Sequence, residues 1–296
     1  MNTRKLCLVL CIALVCVNLL FLAMYTVARN RLQTLTEAAV EDAAAYYTAR
    51  GMEVAPETIR RDIPSNAILT FRREELREEA GALAERLSAS FAEADGFSVV
   101  EAPNGVVCTI HAGSRTLAGI KVFDSAFSFE FALESASDNT YPADYFDNGV
   151  TNLEKDEKKA VDTFLRTLSE SGASEYTVVG RKNVGADTCL CITQTVASLP
   201  VRDTYVVLTV RDGEVVAASG SYLFYEAKRS YEEPIIDGVN ALRGLDPAKY
   251  VRVTAESLVY TYRSSGEGVV YLVPVWRIDA VTADGSAATL YVDAIA

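Results

Sequence analysis

The sequence predicts an α+β protein carried on one N-terminal membrane helix. Three observations predict it. An uncharged apolar run opens the chain. Two amphipathic helix patterns follow, each leading into a series of short β-rich runs. Turn residues sit between those runs at hairpin spacing, as an antiparallel meander requires. Composition agrees. The chain has 296 residues, half of them apolar and 23% charged, which excludes a wholly disordered chain. With 17 Gly and 8 Pro it is not collagen-like or linker-dominated. The length fits one anchored pair of domains.

Leu6 to Ala28 is 23 residues without a charge, and its polar members are Asn18, Tyr25 and Thr26. A helix of that length spans about 34 Å at ~1.5 Å per residue, enough for a hydrocarbon core of about 30 Å. Arg4 and Lys5 precede it, and Arg29 and Arg31 follow before acids begin at Glu37. The balance of positive charge places the N-terminus in the cytoplasm and the bulk of the chain outside it. A cleaved signal peptide would have a shorter apolar run and a better small-x-small site than Thr26-Val27-Ala28. Residues 1–30 carry +3 from Arg4, Lys5 and Arg29, so the remainder carries −15 against the overall −12. That sign repels phosphate backbones and argues against nucleic-acid partners.

After the anchor, Arg29–Arg50 reads as a helix continuing it, with Leu32, Leu35, Ala39, Ala43 and Tyr46 or Tyr47 at helical spacing. Thr34 with Glu37 offers a capping box and so an alternative break near Thr34. Gly51 stops the helix, and Pro56 and Pro64 keep Met52–Pro64 extended. The clearest helix follows, with Leu76, Ala80, Leu83, Leu87 and Phe91 on one face. Strands are expected at Phe97–Ala102 and Val106–His111 around Pro103-Asn104-Gly105, then at Gly119–Phe123 and Phe127–Leu133. Residues 134–152 are polar and turn-rich and set a boundary. A second helix, Glu154–Ser171, presents Val161, Phe164, Leu165 and Leu168. Strands follow at Tyr176–Arg181, Thr188–Ala197, Tyr205–Val210 and Val215–Tyr225, with Asp212-Gly213 as a turn. A short helix at Ile235–Arg243 precedes strands at Ser257–Arg263, Val269–Leu272, Trp276–Val281 and Leu290–Ala294.

Enzyme chemistry finds little support. His111 is the lone histidine, no GxSxG elbow accompanies it, and a solvated surface residue is the plainer reading. Neither a P-loop nor GxGxxG occurs. Asp144, Asp147 and Asn148 are oxygen-rich but lack EF-hand spacing. Glu74, Glu75, Glu78 and Glu79 lie on the polar side of a helix. No metal or cofactor is expected. Cys7, Cys11 and Cys16 sit in the anchor. Cys108, Cys189 and Cys191 lie outside it, either as buried free thiols or with Cys108 bridged to one of the others. Asn18 is a candidate for pairing the anchor with a partner helix.

Three groups of motifs then resemble a known family. The first is the basic start, one anchor, and Gly51-Met52-Glu53-Val54 leading to Ile63-Pro64. The second is Leu199-Pro200-Val201, Tyr205–Val210 and Asp212-Gly213-Glu214, then the helix at Ile235–Leu242. The third is Ser257–Tyr262, Val273-Pro274-Val275-Trp276-Arg277-Ile278 and Tyr291-Val292-Asp293-Ala294. Together they resemble the YycH/YycI family of two-component regulatory accessory proteins, and the ending is also similar to PepSY-type domains. The resemblance implies two helix-plus-antiparallel-sheet units behind the anchor, with 1–30 as the anchor, 31–145 membrane-proximal and 146–296 C-terminal. It implies a Gram-positive membrane protein without catalysis, which adjusts a sensor histidine kinase and thereby cell-wall metabolism. A paralogous accessory protein is a second expected partner. The candidate contacts are Asn18 in the bilayer and Trp276 and Arg277 in the outer part, with Arg277 paired to an acid on a neighbouring strand; core packing is the plainer reading of Trp276, and an ordinary surface salt bridge that of Arg277. A PepSY-like protease inhibitor and an envelope scaffold are the rival expectations. The inhibitor would show itself by an exposed apolar groove or strand edge.

Overall fold

The computed structural model describes residues 14–22, 24, 34–62, 67–103, 105–123, 127–132, 152–168, 175–221, 228–264 and 269–295. Of the apolar run, residues 14–22 and 24 are described, and they are helical. Among the described residues, no helix is long and apolar enough to cross a membrane. The protein is α+β. It divides into two compact units: residues 1–66, 233–257 and 276–296 form unit one, and residues 67–232 and 258–275 form unit two.

In unit one the Thr36 hydroxyl accepts from the Ala39 N–H at 3.2 Å. That cap starts α1 (Glu37–Thr48), which buries Val40, Ala43, Ala44 and Tyr47 along one stripe. The expected helix over Arg29–Arg50 is described only from Thr34, and it starts at Glu37. Thr34 to Thr36 are outside it, and Thr34 forms a β-bridge with Asp62. The hydroxyl that caps is that of Thr36 rather than Thr34, because Thr36 has the extended backbone an N-cap needs. Gly51 takes a φ of +89° and turns the chain into β1 (Glu53–Val54), followed by a 3-10 turn at Pro56–Thr58.

β1 pairs in parallel with β13 (Tyr250–Ser264) through Glu53↔Arg252 and Val54↔Val253. β14 (Val269–Thr282) neighbours β13 and pairs with β15 (Ala287–Asp293). The helix α4 (Gly238–Leu242) is capped by Asp237, which accepts from the Asn240 N–H at 2.7 Å. The unit-one core joins Val40, Tyr47, Met52 and Ile59 to Leu242, Val253, Trp276 and Ile278, all buried.

Unit two holds β2 (Ala67–Arg72), α2 (Arg73–Ser90), β3 (Gly96–Ala102), β4 (Gly105–Ala112), β5 (Arg115–Phe123) and β6 (Phe127–Ala132). These are followed by α3 (Lys155–Leu168), β7 (Tyr176–Val184), β8 (Asp187–Val196), β9 (Leu199–Pro200), β10 (Val206–Arg211), β11 (Glu214–Ser221) and β12 (Lys228–Glu232). An antiparallel sheet runs in the order β3-β4-β5-β6-β11-β10-β8-β7, with β9 beside β8. The helices cover one face. Leu83 and Leu87 of α2 and Val161, Phe164 and Leu165 of α3 meet Cys108, Ile110, Ile120, Leu190, Ile192 and Leu208. Separately, β2 pairs with β12 and with Val269–Leu272 of β14.

The boundary expected near residue 145 lies outside the described residues. The strands before and after it share one sheet, since β6 pairs with β11 through Phe131↔Ala218 and its neighbours. The last two expected pairs of strands are also different in extent. β13 starts at Tyr250, and the runs at Val269–Leu272 and Trp276–Val281 form one strand through Pro274. Pro274 lies two residues past the last registered pair with β2, Leu272↔Leu69, so its missing N–H removes no bond from that ladder.

Candidate functional site

The chemistry of unit one concentrates where three sequence-distant segments meet β13. Glu256 projects from β13 between the segment at Ile59–Asp62 and the first turn of α4. Its Oε2 accepts from the backbone N–H of Arg60 at 2.8 Å. Its Oε1 is buried and without a hydrogen-bond partner. The Arg60 guanidinium is directed elsewhere, onto Asp62 at 3.0 and 2.7 Å. Gly238 opens α4 against the carboxylate, and a Cβ there would overlap it. Burial, reinforced by the nearby Asp237 carboxylate, pushes the Glu256 carboxyl up to about 7. Tyr47 of α1 lies within electrostatic reach of Glu256, and burial raises its phenol as well. The Arg60 guanidinium holds Asp62 below the usual carboxylate range.

The residues expected to act are spread differently. Trp276 is fully buried, and its indole N–H donates to the Ile236 carbonyl at 2.9 Å. It is therefore a core residue of unit one. Arg277 is exposed and pairs with Asp279 at 3.2 and 3.1 Å, on its own strand rather than a neighbouring one. Residues two apart on a strand share a face, which makes that pairing the short route. Asp279 is in turn held by the Thr289 hydroxyl of β15 at 2.7 Å. Asn18 is exposed, and its side-chain amide donates to the Leu14 carbonyl one turn back at 3.0 Å.

In unit two, Cys108, Cys189 and Cys191 are free and buried, so the alternative of a disulfide is not adopted. Cys108 is in the core under the helices, whereas Cys189 and Cys191 pack with Val207 in a separate cluster. Burial pushes all three thiols up, Cys191 to about 11. His111 sits on β4 opposite Gly96, and its imidazole makes no hydrogen bond among the described residues. Asp144, Asp147 and Asn148 lie outside the described residues, as do the side chains of Glu74 to Glu79. Among the described residues, no group of three or more His, Cys, Asp or Glu could hold a metal ion.

Two surface features of unit two were not anticipated at these positions. The edge strand β3 exposes Phe97 (38%), Val99 (50%) and Val100 (59%). An open groove of about 800 Å³ lies between α3 and β7, lined by Lys158, Asp162, Arg166, Glu175 and Tyr176 among others. Inside it the Tyr176 hydroxyl donates to Asp162 at 3.1 Å.

Sequence reasoning missed Glu256 and Gly238. Glu256 stands in a polar stretch without clean alternation, where an acid reads as solvated. Its partner Arg60 is 196 residues away in the chain.

No family model matches the chain, and no curated protein matches it. Among solved structures, an uncharacterized protein from Eubacterium rectale ATCC 33656 is similar at 13% identity. The similarity covers 82% of this chain and 88% of that one, with a TM-score of 0.49. The Bacillus megaterium YpeB C-terminal domain is similar at 12% identity over 77% of this chain and 94% of that one, with a TM-score of 0.34. With TM-scores below 0.5, neither assigns a fold or an activity to this chain.

Proposed function

We propose that this chain is a membrane-anchored extracytoplasmic regulatory protein that binds and modulates a sensor histidine kinase controlling envelope homeostasis. The observation that carries the reading is the charge-free run Leu6–Ala28. Its described part is helical and exposes Leu14, Val15, Val17, Leu19, Leu20, Phe21 and Met24. A helix apolar all round calls for an apolar medium, either a protein core or a bilayer. Asn18 gives one N–H of its side-chain amide to its own helix, which leaves the second N–H and the amide oxygen for a partner helix. The motif resemblance of the chain supplies the partner class.

The interruption at Thr34–Thr36 bears on mechanism. A rigid rod from bilayer to α1 is not available, so signalling between anchor and outer units runs through a jointed connection. The anchor then biases the partner's helices by differential contacts in two states.

The exposed β3 edge favours a second reading, an inhibitor or scaffold that docks an extended partner segment by strand addition. One experiment separates the two. The intact protein is purified from gently solubilised native membranes, and co-purifying proteins are identified by mass spectrometry. A sensor kinase that is lost when residues 6–28 are exchanged for an unrelated anchor supports the regulator. A peptidase or wall enzyme that survives the exchange, and is lost with Val99→Lys, supports strand docking.

A further inference from the structure

We infer that Glu256 is a proton-operated latch: as the neutral acid it closes the Ile59–Asp62 segment and α4 onto β13, and as the carboxylate it lets them open. The inference stands on geometry. One carboxyl oxygen is buried with no partner, a state that costs a carboxylate more than a neutral acid. The other oxygen receives a single backbone N–H, from Arg60 at 2.8 Å. The space for the group exists because residue 238 is glycine.

The charged groups around Glu256 compensate it only in part, since Arg60 favours the carboxylate but burial and Asp237 outweigh it. From the Ile59–Asp62 segment comes Arg60, whose guanidinium is occupied by Asp62. From the cap of α4 comes Asp237, which disfavours a second negative charge. From α1 comes Tyr47, itself within reach of Arg243 and Arg50. Burial and these neighbours shift the titration of Glu256 to around neutrality.

The latch connects to the entry point of the chain into unit one. Leu35 donates to the Arg61 carbonyl at 2.8 Å, and Thr34 bridges Asp62. These are the first described residues after the apolar run, and they are fastened to the same short segment that Glu256 holds. On the reading of that run as an anchor, ionisation of one side chain loosens the joint next to the membrane.

The direction follows from linkage. A carboxyl that binds its proton more tightly folded than unfolded favours the closed state at low pH and loses that contribution as pH rises through its folded value. The test uses the full chain in mild detergent, followed by hydrogen exchange with mass spectrometry from about pH 5.5 to about pH 8.5, corrected for intrinsic exchange. The opening equilibrium of peptides covering 34–36, 59–62 and 236–243 is expected to rise by up to about two powers of ten across that range. Peptides from β8 and β10 should not change. Glu256→Gln, which keeps shape but cannot ionise, should flatten the profile. Gly238→Ala, which displaces the carboxylate, should give open-like exchange at every pH. A profile in Glu256→Gln that matches the parent overturns the latch. So does a carboxyl carbon signal of Glu256 that titrates near the ordinary glutamate value in the parent chain. Neither readout involves a kinase, so the outcome is independent of the proposed partner.

Discussion

Trp276→Phe tests whether the signature strand of unit one is a core or a contact surface. The indole is fully buried and its N–H donates to the Ile236 carbonyl at 2.9 Å. Phenylalanine removes the donor and part of the volume. Leaving the carbonyl unpaired costs about 1–3 kcal/mol. The lost packing adds about 1–2 kcal/mol, less than the full truncation of an aromatic residue to alanine. The expected destabilisation of unit one is therefore roughly 2–4 kcal/mol. Trp276 is the only tryptophan, so its fluorescence reports unit one alone in the parent chain. The variant is followed by hydrogen exchange of 236–242 and 250–257 and by urea unfolding monitored with circular dichroism. A loss below about 0.5 kcal/mol would refute the core assignment. Intact stability together with lost partner capture would move Trp276 to the surface and imply a different packing of β14 against Ile236.

The other expectations concern unit two and the latch. Cys108, Cys189 and Cys191 should resist alkylation in the native chain and react in denaturant, since burial raises each of them. A thiol count by mass spectrometry checks this, and rapid native labelling of Cys191 would contradict it. Glu157→Gln should destabilise unit two by about 1–3 kcal/mol, because Glu157 is buried and accepts from Arg181 at 2.6 and 3.0 Å. Glu154→Gln, whose carboxylate is exposed though it also pairs with Arg181, should change stability by less than about 0.5 kcal/mol in the same urea series. Asp62→Asn should free the Arg60 guanidinium for Glu256 and move the exchange transition of the Ile59–Asp62 segment to lower pH. An unchanged transition would mean that Arg60 cannot turn toward Glu256.

Much of unit two was legible because its elements are local. Leu83 and Leu87 mark α2 by helical spacing, and Asp212-Gly213 marks the β10–β11 turn, where both residues have positive φ. Strands at 97–102, 106–111 and 127–133 stand within a few residues of their expected bounds. What failed depends on distant partners. β12 reads Lys-Arg-Ser-Tyr-Glu, a polar run that becomes a strand only through pairing with β2. Tyr250–Glu256 carries no clean alternation, yet β1 and β14 flank it. Unit one is likewise assembled from three stretches of chain. Local periodicity carries no signal for such closure. The candidate site shows the same limit: core packing was the plainer reading of Trp276 as a lone large residue, but its hydrogen bond to the Ile236 carbonyl was not legible, and Glu256 gave no local sign of burial.

The free energy available to the latch compares well with what a regulatory shift requires. A carboxyl moved from 4.5 to about 7 stores roughly 3 kcal/mol, at about 1.4 kcal/mol per pH unit, as the difference between its two protonation states. Allosteric couplings are typically about 1–3 kcal/mol, so a single buried acid suffices to bias a two-state joint. The surface pair Arg61–Glu37, at 3.5 Å and exposed on both sides, contributes far less to the same connection. The joint at Thr34–Leu35 therefore takes its pH response from the group inside unit one rather than from the charges that visibly bridge it. On the proposed reading of Leu6–Ala28 as an anchor, that ordering also makes a break before α1 compatible with signalling. A continuous helix would transmit any displacement of unit one, whereas a hinge pinned at Arg61 and Asp62 transmits only what the pinned segment does. The selectivity then resides in Glu256, whose state decides whether that segment is held.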